Sequence, residues 1–187
     1  MSQSELLIHT VKALNESANE YMLTGSLVSS MQGEPRATHD IDLIITATSN
    51  SIEMFLGKFP KDNYYYDTNA AKKAMADGGM FNILSFSGDK VDIWALTDSE
   101  FDQARFSRKQ VVELFGLPLN VSSPEDTILM KLLWSKQCGG SEKHLFDAAK
   151  VYDLQQETLD VDYLGTWIRK LNLVDQLTAM ERFKSAI

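Results

Sequence analysis

A chain of 187 residues with 44% apolar side chains can fill one ordinary domain, with or without a small appendage. Its formal net charge of −8 argues against a broad electrostatic footprint for DNA or RNA, because nonspecific binding neutralises phosphates with Lys and Arg. Cys138 is the single cysteine, which excludes an internal disulfide and a cysteine-built zinc site and predicts a reducing compartment.

The chain opens with Leu6, Leu7, Val11 and Leu14 at helical spacing, which predicts an amphipathic helix over residues 4–19. Charges interrupt that stretch, so it lacks the apolar core of a signal peptide, and no segment approaches the roughly 18 to 20 apolar residues of a membrane span. The expectation is a cytoplasmic protein with no membrane contact. "YMLTG" then reads as a short strand, "SLVSSMQ" as a brief helix from Ser26, and "GEPRAT" as a loop punctuated by Gly33 and Pro35. "DIDLIITA" is the next strand, followed by a helix around "SIEMFLGKF". The runs "NYYYD", "MFNILSF" and "DKVDIWAL" read as strands, the last two joined by "SGD" as a hairpin, so strands dominate the expected middle. From Ser123 the pattern turns helical. "SPEDTILMKLLWSKQCGG" has a serine N-cap, proline at the first helical position, two acids in the first turn and paired glycines at its end. A helix from Ser141 to about Leu154 follows, and one or two more cover Tyr163 to Phe183. The expected organisation is a mixed α/β core over residues 1–120 and a helical C-terminal subdomain over 121–187, packed on that core.

Alternation along a strand places Asp40, Asp42 and Ile44 on one face and Ile41, Leu43 and Ile45 on the other. Two carboxylates held that close repel unless a cation lies between them. Magnesium suits such a pair: it takes one or two carboxylates and completes its octahedron with water and substrate phosphates, and a two-ion arrangement supports in-line attack at phosphorus. The bland alternative is a turn at the head of the strand with one solvated face, against which stands the poor fit of aspartate in strand interiors. Gly25 and Ser26 complement the pair. A glycine at a strand end admits close approach of a bulky group, and a helix start offers free N–H groups to a phosphate, with the Ser26 hydroxyl as a further donor. Alone, Gly-Ser is equally an ordinary strand-to-helix turn.

Gly25-Ser26 followed by "RATHDIDLII" resembles the nucleotidyltransferase superfamily, which includes antibiotic nucleotidyltransferases, CCA-adding enzymes and toxins of toxin–antitoxin systems. The resemblance implies a mixed sheet flanked by helices with a C-terminal helical segment. It also implies a third acid on a neighbouring strand, the position of Asp92 in "KVDIWAL", with Asp89 as its rival. It extends to "SPEDTILMKLLW" and "SEKHLFDAAKVY", where it maps a lysine and an aspartate of the nucleotide site onto Lys131 and Asp147. The implied activity is transfer of a nucleoside monophosphate from a nucleoside triphosphate, ATP among them, to an acceptor hydroxyl of a small molecule, protein or tRNA. Asp40, Asp42 and Asp92 would bind one or two magnesium ions. An antitoxin partner or a homo-oligomer also falls within what the resemblance implies, as does a catalytically inactive nucleotide-binding protein. Two departures stand out: a long separation between Gly25 and Asp40, and histidine and phenylalanine in "EKHLFDAA" where relatives commonly carry charge.

Lys131 lies on a narrow polar strip between Thr127 and Ser135, which either meets solvent or aims an ammonium at phosphate. Asp147, flanked by Lys143 and Lys150, reads equally as a surface charge strip. Arg36, in the loop, is expected to touch phosphate. His9, His39 and His144 show no metal-ligand spacing and read as structural, the "YYY" run at 64–66 as strand packing, and Lys72 and Lys73 as a solvated helix face.

Overall fold

The computed structural model describes residues 2–184; the extreme ends of the two expected domains, residues 1 and 185–187, lie outside the described residues. The chain folds as two compact units. One comprises the residues up to Gly25 together with Thr38–Val121, and the other Ser26–Ala37 together with the residues from Ser122 on.

Among the described residues, the first unit holds all seven strands. α1 (Gln3–Glu16) starts at a capping box in which Ser2 and Glu5 satisfy each other's backbone N–H groups, and it buries Leu6, Leu7, Val11 and Leu14. β1 (Tyr21–Thr24) runs antiparallel to β2 (Asp40–Ile45), and β2 runs parallel to β5 (Lys90–Ala95). α3 (Ser49–Leu56), β3 (Tyr64–Tyr65), α4 (Thr68–Asp77) and β4 (Met80–Ser85) lie between β2 and β5 in the chain. α5 (Glu100–Ser107) leads to the hairpin of β6 (Gln110–Leu114) and β7 (Leu117–Val121), and β7 pairs in parallel with β1. The sheet order is β3-β4-β5-β2-β1-β7-β6. Its core face carries Ile41, Leu43, Phe81, Ile83, Val91 and Ile93, all buried; α4 packs on β4 and β5, and α3 on α4.

In the second unit α2 (Gly25–Gln32) continues from β1, and α6 (Pro124–Gln137), α7 (Glu142–Gln155), α8 (Val161–Lys170) and α9 (Val174–Met180) form the helical remainder. α6 begins at Ser123, whose hydroxyl accepts from the Asp126 N–H, with Pro124 at the first position. The structure thus has the expected mixed α/β class. Among the described residues no helix is long and apolar enough to cross a membrane.

The middle holds elements that the sequence reading does not place, α5 and the β6–β7 hairpin. α5 buries only Phe101, Arg105 and Phe106, too sparse an apolar face to register as a helical period. β6 is an edge strand with Val111 mostly exposed, so it lacks the alternation of a half-buried strand. The β6–β7 turn sets Phe115 (φ 53°) and Gly116 (φ 73°) in the left-handed region, and phenylalanine at that position gives no turn signature.

Candidate active site

The residues singled out from the sequence fall into two groups, one in each unit. In the first, the register of three strands builds a carboxylate face. Asp42 lies opposite Asp92 in the parallel β2–β5 pair, Asp40 opposite Lys90, Thr24 opposite Asp42, and Asn82 opposite Asp92. Cross-strand partners point the same way, so Asp40, Asp42 and Asp92 share one face with Lys90. The side chain of Asp40 is half exposed and that of Asp92 only 10% exposed. Asp89, the rival acid, falls in the turn before β5.

Sequence reasoning missed Lys90. Its Nζ lies 2.7 Å from Asp92 Oδ2 and 3.4 Å from Asp40 Oδ1. The hydrogen bond to Asp92 is the main cause of a raised Lys90 pKa, with attraction to Asp92 and Asp40 adding to it against partial burial. The signal was available, since "KVD" at a strand period of two puts Lys90 and Asp92 on one face. Asp92 Oδ1, by contrast, is buried with no hydrogen-bond partner.

Gly25 closes this face at the end of β1. Its φ is +74°, and a Cβ there would sit 2.6 Å from the Asp42 Cγ and 2.7 Å from the Asp42 Cβ. Only glycine lets the backbone turn left-handed while Asp42 occupies that space.

In the second unit, Asp147 on α7 gathers the other predicted residues. It accepts hydrogen bonds from Arg36 Nε (2.9 Å, to Oδ1), Arg36 Nη2 (2.8 Å, to Oδ2) and Lys131 Nζ (2.7 Å, to Oδ2). Ser26 Oγ accepts from the same two cations, at 2.8 Å from Arg36 Nη2 and 3.4 Å from Lys131 Nζ. Lys131 and Asp147 are buried, and the Arg36 side chain is about a quarter exposed. Asp147 is therefore no surface charge, and Lys150 pairs instead with Asp153 at 3.7 Å. Burial alone would raise the Asp147 carboxyl, but hydrogen bonds from Arg36 and Lys131 and the attraction of both cations outweigh it and hold the pKa below the ordinary aspartate value. The same bond to Asp147 raises the Arg36 pKa further. His144, one turn before Asp147, has a buried Nδ1 with no partner. Its pKa is lowered, first by burial and then by repulsion from Lys131.

Of the predicted residues, the structure brings Asp40, Asp42 and Asp92 together with Gly25, and Ser26, Arg36 and Lys131 together around Asp147. The Gly25–Ser26 peptide is the point where the chain passes from the first unit to the second.

Solved structures decide the fold. ANT(2")-Ia in complex with adenylyl-2"-tobramycin is similar over 92% of this chain and 98% of that one, with a TM-score of 0.61 at 13% identity. The chain has the nucleotidyltransferase fold. The lincomycin-bound lincosamide antibiotic adenylyltransferase LnuA is similar over 79% of this chain and 95% of that one, with a TM-score of 0.53 at 14% identity. An antigenic nucleotidyltransferase-like protein from Paracoccidioides brasiliensis is similar over 97% and 93% of the two chains, with a TM-score of 0.51 at 17% identity. No protein-family model and no curated protein matches the chain.

The nucleotidyltransferase fold raises the question of a metal. Among the described residues no group of three or more His, Cys, Asp or Glu side chains is drawn together as a ready metal cage. Magnesium does not need one, because it binds through one or two carboxylates and keeps waters. The donor set fits: hard carboxylate oxygens stand at adjacent positions of one face, and Asp92 Oδ1 is a buried acceptor with no hydrogen bond to satisfy it.

Proposed function

We propose that the protein is a magnesium-dependent nucleotidyltransferase that moves a nucleoside monophosphate from a nucleoside triphosphate to an acceptor hydroxyl and releases pyrophosphate. The observation that carries this reading is the carboxylate face of Asp40, Asp42 and Asp92, with its orphaned Asp92 oxygen, on the nucleotidyltransferase fold.

Asp40, Asp42 and Asp92 would hold one or two magnesium ions, and magnesium bound there neutralises triphosphate charge and polarises the α phosphorus. The N–H groups at the start of α2 and the Ser26 hydroxyl bind the β and γ phosphates. Within the second unit, Arg36 and Lys131, oriented by Asp147 beside Ser26, offer positive charge to phosphate oxygens. Asp92 accepts the proton of the incoming hydroxyl, whose oxygen bonds to the α phosphorus while the bridge to the β phosphorus breaks and leaves with pyrophosphate. The acceptor is a small molecule, a protein or a tRNA. Antibiotic hydroxyls are the first to try, given the tobramycin and lincomycin ligands of the similar structures.

One observation favours a second reading. Lys90 already supplies a positive charge to Asp40 and Asp92, as it would in a catalytically inactive nucleotide-binding relative. Each α-labelled nucleoside triphosphate, supplied with magnesium, candidate antibiotics and a fractionated extract, separates the two. Label transfer with pyrophosphate release that Asp42→Asn abolishes is the expected result, and nucleotide binding without release selects the inactive reading.

A further inference from the structure

Lys90 sits where a cation of the carboxylate face would do most. It lies directly opposite Asp40 in the β2–β5 register and two residues before Asp92 on its own strand, so its ammonium reaches an oxygen of each. The bond to Asp92 Oδ2, at 2.7 Å, is the tighter one, and it leaves Oδ1 of the same carboxylate buried and unpartnered. Carboxylates at neighbouring positions of one face repel, and the Lys90 ammonium offsets that repulsion at Asp40 and Asp92. Lys90 is also able to leave. A third of its side chain is exposed, and a lysine ammonium on four methylenes swings between partners more freely than a planar guanidinium.

We propose that Lys90 is the exchangeable counter-cation of this face: it holds Asp40 and Asp92 together while no divalent ion is bound, and it must release Asp92 Oδ2 before such an ion can use that oxygen. The inference rests on the reading of the face as a metal site. It makes Lys90 a positioning residue that sets the metal concentration at which the site fills. A divalent ion close to Asp92 and an ammonium on Asp92 Oδ2 compete for the same lone pairs and repel each other, so occupancy by one disfavours the other.

The test uses Mn2+ as the probe, with free ion followed by its electron paramagnetic resonance signal during titration of the full chain. Lys90→Gln is expected to bind Mn2+ at least about fivefold more tightly than the unsubstituted protein, and Lys90→Arg, which keeps the charge, to bind no more tightly. Lys61→Gln measures the general effect of removing one positive charge from this unit, because Lys61 donates to the Tyr66 carbonyl rather than to a carboxylate. It should change the affinity less than about twofold. In chelator, Lys90→Gln and Lys90→Met should melt below the unsubstituted protein, and saturating Mn2+ should close that gap.

Unchanged or weaker Mn2+ binding by Lys90→Gln overturns the inference, as does equal tightening by Lys61→Gln. Mn2+ binding that survives in both Asp42→Asn and Asp92→Asn overturns the metal reading of the face itself and takes the inference with it. The two failures are therefore told apart by which substitution leaves binding untouched.

Discussion

Gly25 and Asp42 occupy mutually exclusive space: a side chain of any kind on Gly25 would overlap the carboxylate of Asp42. Two costs then add for Gly25→Ala, the left-handed φ of +74° and the clash. The backbone cost alone is about 1–2 kcal/mol. Asp42 would also have to leave its position opposite Thr24 and Asp92. Gly25→Ala should therefore lower stability by roughly 2 kcal/mol or more and reduce Mn2+ affinity together, as read from urea midpoints and manganese titration. A stability loss with unchanged manganese binding would separate the glycine from the carboxylate face.

The Asp147 network predicts an asymmetry between its members. Removing Asp147 leaves the buried Lys131 ammonium and the Arg36 guanidinium without their shared anion, and breaking a buried pair in this way costs about 3–5 kcal/mol. Lys131→Met leaves Asp147 its two bonds from Arg36, so the loss should be smaller, about 1–2 kcal/mol. If Lys131 serves phosphate, its substitution should instead weaken nucleoside triphosphate binding by tenfold or more, measured calorimetrically. Equal losses of stability for the two variants would contradict the shared-anion arrangement.

The same network sets a pH dependence. The Asp147 pKa is depressed in the folded protein, so the unfolded chain takes up the proton first as pH falls. Its contribution to stability is present in full above the unfolded aspartate value, about 4, and is lost as pH drops through the folded value below it. Denaturation by urea at pH 7, 4 and 3 should show this decline, and Asp147→Asn, already destabilised at pH 7, should show less of it.

Much of this was legible in the chain, and the parts that were not share a physical cause. Strand alternation alone put Asp40 and Asp42 on one face, and the caps Ser123 and Pro124 marked the start of α6. Period-two reading also reached Asp92, but the direction and neighbours of β5 are tertiary facts. That Asp92 lies across from Asp42, rather than on an edge, follows only from the parallel β2–β5 pairing. Lys90 went unread for the same reason, because its meaning depends on the strand beside it. Asp147 looked like part of a lysine-flanked surface strip, since helical spacing cannot show that the loop bearing Arg36 returns to that helix. The edge hairpin of β6 and β7 left no pattern because one strand is largely solvated and its turn uses Phe115.

His144 offers a prediction of opposite timing to Asp147. Its imidazole is partly buried on α7, its Nδ1 lacks a partner, and Lys131, Lys143 and Arg36 oppose a further positive charge, with Asp147 only partly offsetting them. The folded-state pKa is therefore lowered below the ordinary histidine value. Above about pH 6.5 both states carry a neutral ring and the residue adds no pH dependence. As pH falls below that value the unfolded chain takes up a proton that the folded protein refuses, so stability declines until the folded value is reached and then levels. This decline precedes the one at Asp147 on acidification. Proton resonances of the His144 ring should titrate at lower pH than those of an unfolded reference peptide. Urea midpoints should fall between pH 7.5 and 5 in the unsubstituted protein, and His144→Gln should remove that slope. A ring that titrates at or above the reference would show that Asp147, rather than burial and the three cations, governs its charge.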